Sequence, residues 1–221
     1  MLSALALSVM ISVQTPSPQL YPRIRLEEYL PPIPPSDRSF EEASAFVQRN
    51  GEDGLFVTPP QIEMTASEDL PRIWVSLAFN WVWLTDAEGR RPVWFARLRA
   101  MSWGGVIERF ADSRQCPGVA ESLRQLDALP VIEPRVPGLP NPAGPSDMTD
   151  MGVLLMHDNN YGIRLRGLSA GGVFSDRLQV NGGSSANFAP VVADSLSRLK
   201  PCWIEAPPPD SWAVPMSNAG R

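Results

Sequence analysis

Ile73, Val75, Leu77, Phe79, Trp81 and Trp83 occupy alternate positions, with Ser76, Ala78 and Asn80 between them, and this period of two constrains the fold most. It predicts a strand with one buried face. After Asp86 to Gly89 a second alternating run, Val93 to Met101, places Trp94, Ala96, Leu98 and Ala100 on one side and Arg97 and Arg99 on the other. A four-residue loop with Gly89 in the left-handed region sets Thr85 opposite Arg90. Trp81 then aligns with Trp94, Phe79 with Ala96, and Leu77 with Leu98. A loop one residue shorter would turn Arg97 and Arg99 onto the Trp81 face, and buried unpaired charge costs several kcal/mol, so the longer loop is expected.

Downstream, Val106 to Phe110 reads as a returning strand, followed by a helix carrying Val119, Leu123 and Leu126 that stops by Pro130. A second helix carries Val192, Leu196 and Leu199. Pro117, Val119, Ala120, Ser122, Leu123 and Leu126 recur as Pro190, Val192, Ala193, Ser195, Leu196 and Leu199, each at an offset of 73 (190 − 117). Gly89 and Gly162 share that offset as the last residues of expected turns. The second unit is expected to run Gly152–His157, a turn over Asp158–Tyr161, then Gly162–Arg166, with Val173–Val180 extended ahead of the helix. Its register stays open, since Leu154 with Met156 or Val153 with Leu155 could share the face of Ile163 and Leu165. The expected fold class is α+β: a mainly antiparallel sheet with two packed helices on one face, built from a duplicated hairpin-strand-helix unit.

The 24 prolines cluster in Thr15–Pro35, Pro130–Pro145 and Pro201–Pro209, marking extended connections. The expected organisation is a signal peptide over 1–14, a Pro-rich linker over 15–37 and one domain over 38–203 with similar halves at 73–129 and 151–203. A Pro-rich, poorly packed tail follows over 204–221. Leu2 to Val13 is an apolar run of 12 (13 − 2 + 1), too short to span roughly 30 Å of hydrocarbon yet suited to a secretory signal. No transmembrane span is expected in the mature chain.

Cys116 opens the first helix and Cys202 follows the second, so antiparallel packing of the two would bring them within the roughly 5–6 Å Cα separation of a disulfide. A metal site would want four ligands, and His157 is the only histidine. Two paired cysteines suit an oxidising compartment, so a periplasmic or secreted location is expected. A net charge of −5 without a basic stripe argues against nucleic acid as a partner.

Among candidate catalytic motifs, Gly167-Leu168-Ser169-Ala170-Gly171 matches the G-x-S-x-G nucleophile elbow, but an alternating segment rather than a helix follows it, and His157 precedes the serine. Asn181 to Ser185 lacks the lysine of a phosphate loop and reads as a turn and helix cap. The adjacent pairs Glu27–Glu28 and Glu41–Glu42 read as solvated charge. His157, Asp158, Asn159 and Tyr161 are the expected binding residues, on the most polar turn. Trp74, Trp103 and Trp212 are the rings without an inward assignment, and so candidates for a carbohydrate or peptide platform. No cofactor fingerprint is present. The expected function is an exported, non-catalytic binding or envelope-interaction module for an unidentified protein or small ligand. The alternatives are a small serine hydrolase using the Gly167–Ser169–Gly171 elbow and an inhibitor or chaperone-like partner binder.

Overall fold

The computed structural model describes residues 25–51, 60–69, 72–86, 89–129, 159–168, 174–183 and 186–208. In chain order these form α1 (Phe40–Gln48), β1 (Ile62–Glu68), β2 (Ile73–Asp86), β3 (Gly89–Ser102), β4 (Gly105–Asp112), α2 (Pro117–Asp127), β5 (Asn160–Leu168), β6 (Phe174–Gly182) and α3 (Ala189–Leu199). The strands make one antiparallel sheet ordered β4-β3-β2-β1-β5-β6. The architecture is α+β.

The β2–β3 register agrees with the alternation: Leu77 faces Leu98, Phe79 faces Ala96, Trp81 faces Trp94 and Thr85 faces Arg90. Gly89 has φ 116°, which a residue with a Cβ would adopt only under strain. On the apolar face, Leu77, Phe79, Ala96, Leu98, Met64 and Ile163 are buried against Val119 of α2 and Val192, Leu196 and Leu199 of α3. These two helices are antiparallel. A Cβ on Gly118, in the first turn of α2, would fall 2.6 Å from the carbonyl oxygen of Arg198 near the end of α3, so glycine permits that approach. Gln125 donates to Asp194 at 2.9 Å and accepts from Arg198. Cys116 and Cys202 therefore meet, with Cα atoms 5.6 Å apart and the sulfurs bridged.

The opposite face carries charge. Arg97 and Arg99, both buried, share the carboxylate of Glu108 on β4, at 2.5 and 2.9 Å. Arg99 also donates to the carbonyls of Phe46 and Arg49 at the end of α1, where the helix dipole favours a cation. Asn50 donates to the carbonyls of Ser76 and Arg97. Together with Ala43 and Val47 packed on Met101, these bonds seat α1 over β2 and β3. The helix starts in a capping box: Ser39 accepts from the Glu42 N–H and Glu42 accepts from the Ser39 N–H. Those bonds hold the Glu42 carboxyl below its usual range, the backbone bond contributing most.

Several sequence expectations need correction. Asn160 and Tyr161 are ladder residues of β5, not part of a turn, because β5 pairs with β1 on one side and β6 on the other. Gly162, expected to end that turn, sits inside β5 between Thr65 and Asn181. Residues 25–37 are not a loose linker: Leu26 and Leu30 join the core, the Leu26 N–H donates to buried Glu68, and Ser36 N–H donates to the Gly104 carbonyl. Ile204, placed in the tail, exchanges both backbone hydrogen bonds with Phe110. The N-cap position of α3, expected within the Asn181–Ser185 stretch, is occupied by Phe188, which makes no side-chain cap bond. Residues 1–14, the strand expected at Gly152–His157 and the tail beyond residue 208 lie outside the described residues.

Four outcomes follow from these contacts. Thiol titration of the unfolded, unreduced protein is expected to find no free thiol. Breaking the bridge, with its separation of 86 residues, is expected to lower unfolding free energy by at most about 4.6 kcal/mol in denaturant titration, the chain-entropy bound. Glu108→Ala removes the carboxylate that two buried guanidiniums share, and a loss of roughly 3 kcal/mol is expected in the same measurement. Because the folded Glu42 carboxyl titrates below its unfolded value, its contribution is present above the unfolded pKa and lost as pH falls through the folded one. The stability difference between wild type and Glu42→Gln should therefore vanish in acid, and a difference that persists there would refute the capping assignment.

Candidate functional site

β1 reads Ile62-Glu63-Met64-Thr65-Ala66-Ser67-Glu68, so its odd-numbered side chains up to Ser67 share the charged face of the sheet while Met64 and Ala66 enter the core. Cross-strand pairing extends these residues into rows. Thr65 lies between Ser76 and Gly162, and Gly162 lies opposite Asn181. Glu63 lies between Ala78 and Arg164, and Arg164 opposite Gln179. Ser67 lies between Trp74 and Asn160.

α1 covers the β2–β3 part of this face, and beyond it the rows form the floor of an open cavity of about 360 Å³. Val47, Gln48 and Trp74 stand on its helix side, and Gln179 and Asn181 are exposed on the far side. The volume falls within the roughly 300–1,000 Å³ of small-ligand sites.

Glu63 anchors the floor. Its side chain is about nine-tenths buried; it accepts from the Ser76 hydroxyl at 3.1 Å and pairs with Arg166 at 3.5 Å and Arg164 at 3.9 Å. Asp176 on β6 pairs with the same two arginines, at 3.1 Å to Arg164 and 3.3 Å to Arg166. Arg166 further donates to the Pro60 carbonyl. A β-bulge produces the Asp176 contact. Leu165 faces Leu178, but the ladder then skips Arg177, so Arg166 faces Asp176 instead of a second arginine. Two carboxylates and two guanidiniums leave no formal net charge in the network.

At the Trp74 end the cavity adjoins an aromatic cluster. Phe40 lies edge-on to Trp74 at 5.6 Å and tilted to Trp103 at 6.4 Å, and the Arg72 guanidinium covers the Trp103 ring at 4.6 Å. Trp103 is 66% exposed. Trp74 and Trp103, two of the candidate platform rings, thus meet through Phe40, and the third, Trp212, lies outside the described residues. On the other face of the sheet, Trp81, Trp94, Leu126 and Leu165 line an apolar groove of about 760 Å³ beside the end of α2.

The expected binding residues are placed differently. Asn159 and Tyr161 are buried, Asn159 donating to the Tyr161 hydroxyl at 3.2 Å, and Tyr161 belongs to the core. Their neighbour Asn160 is exposed at the cavity rim. His157 and Asp158 lie outside the described residues. Sequence reasoning missed Glu63, Arg164 and Arg166. The alternation in β1 was a readable strand signal, but nothing local pairs it with β5.

The arrangement can hold a ligand by hydrogen bonds, through the Thr65 and Ser67 hydroxyls and the Asn160, Gln179 and Asn181 amides. Ser76 is 1% exposed, and its hydroxyl is engaged by Glu63. Gly167 of the elbow motif pairs with Ser175, and the chain between Leu168 and Phe174 connects two antiparallel strands, whereas a nucleophile elbow joins a strand to a helix. Ser169 and Gly171 lie outside the described residues. Among the described residues no group of three His, Cys, Asp or Glu side chains is placed to hold a metal ion. No helix there is long and apolar enough to cross a membrane. No known protein family matches the chain, and no curated protein or solved structure is detectably similar to it.

Proposed function

We propose that the protein is an exported, non-catalytic binding module that holds a polar ligand on the uncovered half of its sheet. One observation carries this reading: the face over β1, β5 and β6 is lined with hydroxyl and amide side chains, rigidly underpinned by the Glu63–Arg164–Arg166–Asp176 network, and no helix among the described residues covers it. Exposed polar groups on paired strands are held in place by the ladder, so a ligand meets donors and acceptors already oriented. Export is supported by the Cys116–Cys202 bridge and by the signal-like run Leu2–Val13.

Asn181 is exposed at the cavity mouth, opposite Gly162, so Asn181→Trp would lay an indole across the floor without disturbing the core. The full chain, prepared with its disulfide intact, is applied to glycan and peptide microarrays. Wild type is expected to retain a ligand that Asn181→Trp loses while keeping its melting temperature. Identical profiles for the two proteins would defeat the assignment.

A further inference from the structure

We infer that the ligand is a short neutral oligosaccharide, seated on the Thr65–Gly162–Asn181 row with its apolar ring face toward Trp74. This rests on reading the open face as the binding site and specifies what it takes.

Charge is the first argument. Arg164 and Arg166 each pair with both Glu63 and Asp176, so the two positive and two negative charges of the network balance, with one buried donor, Arg164 Nε, left over. A ligand carrying net charge would lose hydration here without a counter-charge in return.

Hydrogen-bonding type is the second. Thr65, Ser67, Asn160, Gln179 and Asn181 all both donate and accept. A sugar hydroxyl does the same, so each can be matched by a rotation of the hydroxyl or amide. Carboxylates and phosphates only accept, and ammonium groups only donate; either would engage only the donors or only the acceptors of this array.

Shape is the third. Gly162 is the one position in the central row without a side chain, and a Cβ there would fall 2.5 Å from Thr65 Oγ1 and 2.6 Å from Asn181 Oδ1. Thr65 and Asn181 thus close over the buried Gly162 as a flat polar floor, and with the Trp74 indole ending the neighbouring Ser67 row this suits a flat ring with hydroxyls at its edge and C–H groups on its face. A peptide strand is served less well. Its backbone would seek the unpaired N–H and C=O groups of an edge, and the edges are β4 and β6, whereas the cavity floor consists of β1 and β5, paired on both sides.

The test titrates the full, disulfide-intact chain by calorimetry with neutral oligosaccharides of hexoses and N-acetylhexosamines. Sugar phosphates of matching size, and the peptides of the microarray, form parallel arms. Binding of a neutral oligosaccharide is expected, weakened roughly fivefold in Gln179→Ala by loss of one hydrogen bond and roughly tenfold in Trp74→Leu by loss of the ring. Gln179 is exposed on an edge strand, so that variant stays informative even if Trp74→Leu, which contacts α1 packing, loses stability. Preference for the sugar phosphate, or unchanged oligosaccharide affinity in Gln179→Ala, would overturn the inference. A peptide bound by wild type and lost in Asn181→Trp would overturn it too while leaving the open-face reading intact. Absence of any ligand sensitive to Asn181→Trp would remove both.

Discussion

The register of β2 against β3 decides the character of both faces of the sheet. With Leu77 on Leu98 and Trp81 on Trp94, the main apolar row of the long hairpin points one way, and Arg97 and Arg99 point the other, among Ala78, Val93, Phe95 and Met101. A slip of one residue would exchange the two sets. The neighbouring strands inherit the choice: Met64, Ala66 and Ile163 continue the apolar side, and Glu63, Thr65 and Arg164 continue the charged one. The core with its two helices and the polar cavity are thus two sides of the same decision.

Burying charge on a sheet face requires partners, and the two halves of that face solve the problem differently. Under α1, one carboxylate, Glu108, serves two guanidiniums, and the remaining donors of Arg99 reach the carbonyls that end the helix. Over β1, β5 and β6, two carboxylates serve two guanidiniums, and the bulge at Leu165/Arg166 brings Asp176 into place. The first arrangement is capped by a helix. The second balances its charge with no helix of the described residues over it, and the surrounding hydroxyls and amides line the open cavity.

Much of the hairpin and its continuation was legible because alternation is local: β2, β3 and β4, and the helices containing Val119 and Val192, follow from the spacing of apolar residues. The disulfide was legible for a related reason, since two antiparallel helices bring the start of one to the end of the other. Other elements carried signals that competing features masked. Glu42 looked like solvated charge, although Ser39 three residues earlier makes a capping box. Proline content suggested that residues 25–37 would be loose, but two leucines and one backbone donor to Glu68 tie the segment to the core. Asn159 to Tyr161 have turn-forming polarity, yet pairing with β1 holds Asn160 and Tyr161 extended, an outcome of neighbours rather than of propensity.

By itself the sequence determined what short-range periodicity can encode: the β2–β3 register, the separation of apolar from charged alternates, the two amphipathic helices and the proximity of Cys116 to Cys202. Only the tertiary structure decided that β1 lies between β2 and β5, so that Glu63 meets Arg164 and Arg166 across roughly one hundred residues of chain. Period-two alternation states which face a side chain occupies but not which strand stands beside it. The candidate site is made of such lateral neighbours, and so it exists only once the sheet is assembled.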